Sequence, residues 1–215
     1  MTKRLVQFFE SPGRENTQEV VRMVVKRTEE GDIEAIVVAS VSGKTSVKVA
    51  EEMKKRGLRM KVICVSGPPS WKKYAPEYEF PLIGRELRKK MDALGVQVIN
   101  DVEEPFRQIT FRDWWENKTI EVSRPESDLF WMSLICVGGH GLRTAVEAVF
   151  MAVEAAVVSL GERVISIAGT GTGADTAIVM ATSSFGDAVG VDPKKRMKIE
   201  EILAMPKKTR WRGYG

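Results

Sequence analysis

The chain of 215 residues is poor in the residues from which metal sites and disulfide frameworks are built, with two cysteines and one histidine. Cys64 and Cys136 each lie in an apolar run, where reduced and buried thiols are expected. No group of cysteine, histidine or carboxylate residues has the spacing of a metal-ligand motif. The sequence therefore predicts neither a disulfide framework nor a metal site.

The common catalytic signatures are also missing. The chain has no Ser/His/Asp order, no paired-carboxylate motif and no HExxH helix, and His140 has no partner carboxylate in the sequence around it. The catalytic residues therefore stay unknown, and the sequence leaves open whether the protein is an enzyme. It indicates a binding pocket more clearly than a reaction.

Segments that would direct the chain to a membrane are not apparent either. Residues 1–16 lack the apolar core of a signal peptide. The most apolar segment, residues 144–160, contains Glu147 and Glu154 and is too short to span a bilayer. The protein is predicted to be cytoplasmic and to have no membrane partner.

The net charge of +4 is unevenly distributed. From Lys194 onward, eight lysine and arginine residues stand against two glutamates, so this segment carries +6 and the rest of the chain −2. The basic tail from about residue 206 includes Trp211 and Tyr214, a composition that can bind nucleic acid by charge and stacking. A solvated or subunit-embracing tail is the favoured alternative, because a basic tail is not a basic domain.

The pattern of the remaining chain is that of an α/β protein. Residues 33–57 begin with a β-branched apolar run, continue through a small polar turn and end in an amphipathic helical pattern. Further strand and helix patterns alternate on both sides of this segment, as in a parallel sheet with crossover helices. The length fits one domain, so residues 1–215 are predicted to form a single α/β domain with a basic tail.

The turn at residues 40–46 has the composition of an anion site, because it joins a strand to a helix N-terminus, whose N–H groups favour negative charge. Gly43, Lys44 and Thr45 imitate the end of a P-loop, but Val38 occupies the position of its first glycine. The loop is too short for a triphosphate, so a single phosphate is predicted, with a purely structural N-cap turn as the alternative. The predicted phosphate-binding residues are Ser40, Ser42, Gly43, Lys44 and Thr45.

A second glycine-rich turn follows the strand predicted at residues 164–168. Gly169, Gly171 and Ala174 match the looser dinucleotide fingerprint, but residues 176–180 look extended where that fingerprint needs a helix. The turn is therefore predicted to line a ligand without forming a Rossmann site. Asp175 would either contact the ligand or bond the backbone of its own turn, and both interpretations stay open.

A third glycine cluster, residues 138–141, surrounds His140 and precedes a long helix predicted from about residue 142 to residue 160. His140 could contact an anion or transfer a proton. Arg143, one turn into that helix, is the better anion candidate because a guanidinium group forks onto phosphate oxygens. A surface role is the alternative for Arg143.

Together these segments resemble the C-terminal α/β domain of pyruvate kinase, and more closely the small stand-alone prokaryotic proteins called pyruvate kinase α/β domain-like. The resemblance is carried by PGRENT, ASVSGKTS, GGHGLRTAVEAVFMAVEAA, IAGTGTGADTAIVM and EEILAMP. It implies a three-layer α/β/α sandwich with a mostly parallel five-stranded sheet, in which residues 198–205 form one antiparallel edge strand. It also implies no pyruvate kinase activity, because the catalytic barrel has no counterpart here.

The stand-alone proteins of this group look like FMN-binding proteins of unsettled activity, so the resemblance implies FMN as the cofactor. Besides the phosphate turn, it implies contacts to FMN from Ser66, Gly67, His140, Gly141, Arg143, Gly169, Thr170, Gly171, Thr172, Gly173 and Asp175. Trp71, Trp114 and Trp115 are candidates to cover the ring. A non-catalytic sensor of a phosphorylated metabolite and a nucleic-acid binder acting through the tail are the alternatives, and a homo-oligomer is left open.

Overall fold

The computed structural model describes residues 4–67, 82–100 and 125–208, apart from residues 189 and 191. In chain order its elements are β1 (Gln7–Phe9), a 3-10 turn (Arg14–Asn16), α1 (Thr17–Thr28), β2 (Ala35–Ala39), α2 (Lys44–Lys55), β3 (Lys61–Val65), α3 (Arg85–Ala93), β4 (Gln97–Ile99), α4 (Pro125–Glu154), β5 (Arg163–Ala168), β6 (Thr176–Ala181) and β7 (Lys198–Pro206). The predicted irregular excursion at residues 101–128 lies outside these ranges up to residue 124, and α4 begins at Pro125.

The strands form one seven-stranded mixed sheet in the order β1-β7-β6-β5-β2-β3-β4. Strands β5, β2, β3 and β4 are parallel, β6 is antiparallel to both β5 and β7, and β1 is parallel to β7. The α/β class is confirmed. The expectation of a five-stranded sheet with residues 198–205 as an antiparallel edge strand was wrong, because β7 lies between β6 and β1. The connection at residues 169–175 is too short for a crossover, so β6 returns antiparallel, and β1 covers the outer side of β7.

The helices cover both faces of the sheet, which makes three layers. In β2 the side chains alternate: Ile36 and Val38 pack in one core cluster, and Ala35 and Val37 pack in the other. The first cluster contains apolar residues of α1, α2 and α3, and the second contains those of α4. Since both faces are buried, β2 reads in the sequence as a continuous apolar run instead of an alternating one.

Helix α4 differs from its predicted bounds. It extends from Pro125 to Glu154 and is interrupted at Gly139, whose backbone has φ 73° and ψ −173°. The glycine cluster therefore precedes a helical segment, as predicted, but another helical segment leads into it from Pro125, and α4 ends at Glu154 instead of residue 160. The C-terminal part of α4, residues 140–154, supplies most of the α4 residues in the second core cluster, and Ala145 O accepts the hydroxyl of Ser166 in β5 at 2.7 Å.

The two cysteines also differ from each other. Cys64 is buried in β3, and burial raises the pKa of its thiol to about 11, so the expectation of a buried, reduced thiol is confirmed for this residue. Cys136 is exposed, and the expectation of burial was wrong for it. The apolar run around Cys136 is helical, so successive side chains point in different directions and one of them faces outward.

Residues Phe130–Glu154 of α4 are long and apolar enough, by length and composition, to cross a membrane. However, 67% of the most apolar window of this segment is buried inside the protein. This burial is consistent with the core helix of a soluble protein. The cytoplasmic location stays a prediction.

A network of ion pairs lies at the end of the sheet where strands β5 and β7 begin. Arg27, whose side chain is only 3% exposed, donates hydrogen bonds to Asp32 at 2.5 and 2.9 Å and to Glu201 at 2.9 and 3.0 Å. Arg163 joins the network through Asp32 at 2.7 Å and Glu200 at 2.6 Å. The hydrogen bonds from Arg27 hold the pKa of Asp32 well below its usual value.

This network predicts a specific acid dependence of stability. The pKa of Asp32 is lower in the folded protein than its unfolded value of about 3.9, so the stabilisation is present above about pH 5 and is lost as the pH falls through that value toward the folded pKa. Asp32→Asn should therefore lower the free energy of unfolding near neutral pH and flatten its decline in acid. Urea unfolding between about pH 6 and about pH 3 measures both effects.

Asp92→Asn is the control, because Asp92 is exposed on α3 and pairs only with Arg88, at 3.3 Å, among the residues that the structure describes. An Asp32→Asn variant with the same acid dependence as wild type would contradict the role given to Asp32.

Candidate functional site

The order of the strands reverses between β2 and β5, which are parallel neighbours with Val38 opposite Ile167. The chain leaves the end of β2 through α2 toward β3, and it leaves the end of β5 through a turn toward β6. Because these connections move apart, a crevice opens between them, and ligands of open α/β sheets bind at such a point. From this topology we expect the crevice between the turns at residues 40–43 and 169–175.

The turn after β2 is ordered by its own backbone and by Ser40. The Gly43 N–H donates to Ser40 O at 3.0 Å, and the Thr45 N–H donates to Ser40 Oγ at 3.3 Å. The first bond of α2 runs from Val47 N–H to Gly43 O at 3.1 Å. Among the described residues, the N–H groups of Lys44 and Ser46 have no hydrogen-bond acceptor, but Ser46 is fully buried, so the N–H of Lys44 is the donor that a ligand can reach in the first turn of α2.

The structure gives a packing reason for a glycine at position 43, which the sequence did not reveal. Its φ of 74° is left-handed, and a Cβ there would lie 2.9 Å from Met91 Sδ and 3.3 Å from Leu87 Cδ2. The open side of this glycine is thus filled by α3. Only glycine combines this backbone conformation with such close packing, whether or not a phosphate approaches its N–H.

The residues predicted to bind a ligand at the ends of β2 and β3 fall into two groups: those that are already bonded or buried, and those that are accessible. Ser66 donates its hydroxyl to Val41 O at 2.8 Å and its N–H to Ile99 O at 2.8 Å, so it ties together the ends of β2, β3 and β4. Ser40 is occupied as described above, and Gly67 is buried. Ser42 is half-buried and Lys44 is exposed at the start of α2, which leaves them the most accessible residues of the turn.

Asp175 organises the turn after β5. Its side chain is fully buried and accepts hydrogen bonds from Thr170 N–H at 3.0 Å and from Thr176 Oγ1 at 2.8 Å. Of the two interpretations of Asp175, the structure displays the bond to its own turn, and contact with a ligand stays a prediction. The chain then enters β6 directly. This confirms the extended conformation predicted for residues 176–180, which argued against a Rossmann site.

The N-terminus of α1 supports the same turn, a role that the sequence did not predict. Thr17 is buried and its Oγ1 accepts the Ala174 N–H at 2.9 Å. Gly173 has a φ of 79°, and a Cβ there would lie 2.5 Å from Thr17 Oγ1 and 2.6 Å from Arg14 Cα. The PGRENT segment was the available signal, since it contains both Arg14 and Thr17.

The break in α4 places the third glycine cluster, residues 138–141, beside the turn at residues 169–175. A Cβ on Gly141 would overlap Thr176 Oγ1 and lie 2.8 Å from Asp175 Oδ1, so α4 packs directly on the start of β6. His140, half-buried, directly precedes this contact. The structure therefore brings residues 140–141 together with the turn at residues 169–175.

Arg143 is the predicted anion ligand that the geometry favours least. Its guanidinium lies 5.3 Å from the centre of the Trp131 ring and donates to Glu147 at 2.9 Å. Both the stacking and the ion pair compensate its charge. The charge of Arg143 is thus already used inside the protein.

Lys44 differs from Arg143 because it pairs with none of the described residues, and it occupies the first position of α2. A cation there opposes the helix dipole, which favours negative charge at this end. The first turns of α1 and α3 contain acidic residues, Glu19 and Glu86, but the first turn of α2 contains none. The start of α2 is therefore a concentrated positive site.

No protein family model matches this chain. Within residues 4–67, 82–100 and 125–208, no group of three or more histidine, cysteine, aspartate or glutamate residues is arranged to hold a metal ion. The three tryptophans predicted as possible covers of a ligand ring, Trp71, Trp114 and Trp115, lie outside the described residues. The site is thus characterised by its backbone donors, hydroxyls and Lys44.

The contact between the glycine turn and α1 yields a prediction with a matched control. Gly173→Ala forces a Cβ into the backbone of Arg14 and imposes a left-handed alanine, so we expect a loss of about 2–4 kcal/mol in the free energy of unfolding. Gly171→Ala, in the same turn, meets no atom within 4 Å and should change stability by less than about 0.5 kcal/mol. Denaturant unfolding of both variants tests this, and equal losses would contradict the packing described.

Proposed function

We propose that the protein binds a phosphorylated small molecule in the crevice between the β2–α2 turn and the β5–β6 turn, with the phosphate at the N-terminus of α2. The observation that carries this proposal is the first turn of α2. It combines the Lys44 ammonium, no acidic residue and the exposed Lys44 N–H, which has no acceptor among the described residues, and it lies where the strand order reverses.

A single phosphate suits this turn better than a polyphosphate. Strand β2 ends at Ala39 and α2 begins at Lys44, so only residues 40–43 lie between them. A loop of this length presents the donors of one helix turn and does not wrap a chain of phosphates. The N–H and the ammonium of Lys44 and the Ser42 hydroxyl would hold the phosphate.

FMN is the candidate ligand, on the strength of the resemblance to the pyruvate kinase α/β domain-like proteins, and we propose that the chain is one of them. The phosphate end of FMN fits the donors at the start of α2. The exposed Gly171 would offer open backbone surface on the opposite wall, since no atom lies within 4 Å of its Cβ position. Bound FMN would supply redox chemistry, while the protein's own residues hold and orient it.

A sensor of a phosphorylated metabolite, without catalysis, would use the same phosphate site. The contacts at the start of α2 favour a phosphate in both cases and do not depend on the rest of the ligand. A flavoprotein and a sensor differ in what they bind beyond the phosphate, and a flavin spectrum separates them. Nucleic-acid binding by the tail stays a separate prediction, and residues 209–215 lie outside the described ranges.

The ligand itself can be tested by comparing FMN with riboflavin, which has the same ring and no phosphate. If the phosphate binds at α2, FMN should bind at least about tenfold more tightly, because charge-assisted hydrogen bonds contribute about 1.5–3 kcal/mol. Quenching of flavin fluorescence in titrations measures both affinities, and the absorbance of freshly purified protein reports bound flavin.

Equal affinities for FMN and riboflavin would contradict the phosphate site. If neither flavin binds but a sugar phosphate does, as measured by calorimetry, the phosphate site stands and FMN is rejected as its ligand.

Lys44 provides the test of the phosphate position. Lys44→Gln should weaken FMN binding by about 10–100-fold, because it removes one charged donor. It should also raise the free energy of unfolding of the ligand-free protein by about 0.3–1 kcal/mol, because a cation is removed from a helix N-terminus. Fluorescence titration and urea unfolding measure the two effects.

Lys48→Gln is the matched control, since Lys48 is exposed on the same helix one turn further along. It should leave FMN affinity nearly unchanged. If Lys44→Gln also leaves affinity unchanged, the phosphate does not lie at the start of α2.

A further inference from the structure

Strand β1 forms one edge of the sheet, and exposed apolar side chains lie on it and on the two residues just before it. Leu5 is 93% exposed, Val6 40% and Phe8 47%. These are three of the five exposed large apolar residues in the described part of the chain. Exposed apolar residues beside an open strand edge are a ready template for pairing with another strand.

The backbone of β1 has hydrogen-bonding groups that point away from the sheet. The Lys207 N–H donates to Phe9 O at 2.7 Å, so Phe9 faces β7. Because successive residues of a strand alternate in direction, the N–H and C=O groups of Phe8 and Val6 point outward. Phe8 O accepts the exposed side-chain amide of Gln7 at 3.3 Å, a local bond that strand pairing would replace. No described strand lies on that side, since β1 is last in the strand order.

We propose that β1 pairs with β1 of a second copy of this chain, antiparallel and centred on Gln7. In this register Val6 of each copy lies opposite Phe8 of the other. The outward N–H and C=O groups of these two residues form the interchain bonds, as in a hydrogen-bonded antiparallel pair. The apolar side chains of the pair would then cover each other across the two-fold axis.

Charge complementarity selects this register. Arg4 and Glu10 lie three residues on either side of Gln7 and have opposite charge. Centring on Gln7 places Arg4 of each copy opposite Glu10 of the other, whereas centring on Val6 or Phe8 does not. Within the chain, Arg4 pairs with Glu30 at 2.5 Å and Glu10 pairs with Lys207, so both lie in small mixed-charge clusters.

A second copy is the partner that this edge fits because the segment complements itself. A two-fold pairing uses the same surface on both subunits and occupies both β1 edges, so assembly stops at a dimer. The two seven-stranded sheets would join into one continuous sheet across the two-fold axis. This inference is independent of the ligand proposed above.

The oligomeric state tests the proposal. Light scattering after size-exclusion chromatography should give about twice the monomer mass of 24.0 kDa for the wild type at micromolar concentration. Phe8→Lys should give a mass near 24.0 kDa, since it places like charges near the two-fold axis. Val137→Lys is the control because Val137 is 70% exposed on α4, and this variant should remain dimeric.

A charge exchange tests the register and does not depend on the wild-type mass alone. Arg4→Glu brings two carboxylates together at each contact between positions 4 and 10, and Glu10→Arg brings two guanidinium groups together there. Each variant alone should therefore dissociate. An equal mixture of the two should form heterodimers. In a heterodimer the two substituted residues, of opposite charge, meet at one contact, and the native Arg4 and Glu10 meet at the other. Far-UV circular dichroism checks that each variant is folded, since Arg4 also bonds Glu30 and Glu201.

A wild type that stays at 24.0 kDa would overturn the proposal, as would a mixture that forms no heterodimer from two folded variants. A dimer whose mass is unaffected by Phe8→Lys would show that copies pair elsewhere, and this result would overturn it too. A monomeric wild type that Phe8→Lys destabilises would mean that another part of the chain covers the edge, which equally rejects the pairing of two copies.

Discussion

The constraint on which the rest of the structure depends is the reversal of strand order between β2 and β5. Because the chain moves away from this point in both directions, the turns that follow the two strands cannot pack on each other directly. Crossover helices return from the same edge, so the start of α2 and the break in α4 are brought beside the crevice. The candidate site is a consequence of this topology.

Charged residues are arranged differently at the two ends of the strands. At one end, the buried Arg27 is matched by Asp32 and Glu201, and Arg163 extends the network, so burial and pairing balance. At the other end, Lys44 lies on a helix N-terminus with no acidic residue in the first turn. The first arrangement stabilises the fold, whereas the second raises the energy of the ligand-free protein. Such local inconsistency is expected at a functional site, which agrees with the proposal made for the start of α2.

Much of the fold could be predicted because the period of the apolar residues is a local property. Strands β2, β3 and β5 and helix α2 follow from runs of buried residues and their turns. The neighbour of β7 could not be predicted, because the pairing of the three-residue strand β1 depends on residues that are distant in the chain. Similarly, the helical segment before Gly139 could not be predicted, because a glycine cluster ends one helix as readily as it interrupts another.

The sequence by itself determined which turns carry the hydroxyls, the glycines and Lys44, because turn chemistry is written in neighbouring residues. Only the tertiary structure decided what each group is free to do. Arg143 is held by Trp131 and Glu147, and Gly43 is filled by α3, while Lys44 keeps its charge at the start of α2. The physical reason is that hydrogen bonds, ion pairs and close packing join residues that are far apart in the chain, and no local pattern records them.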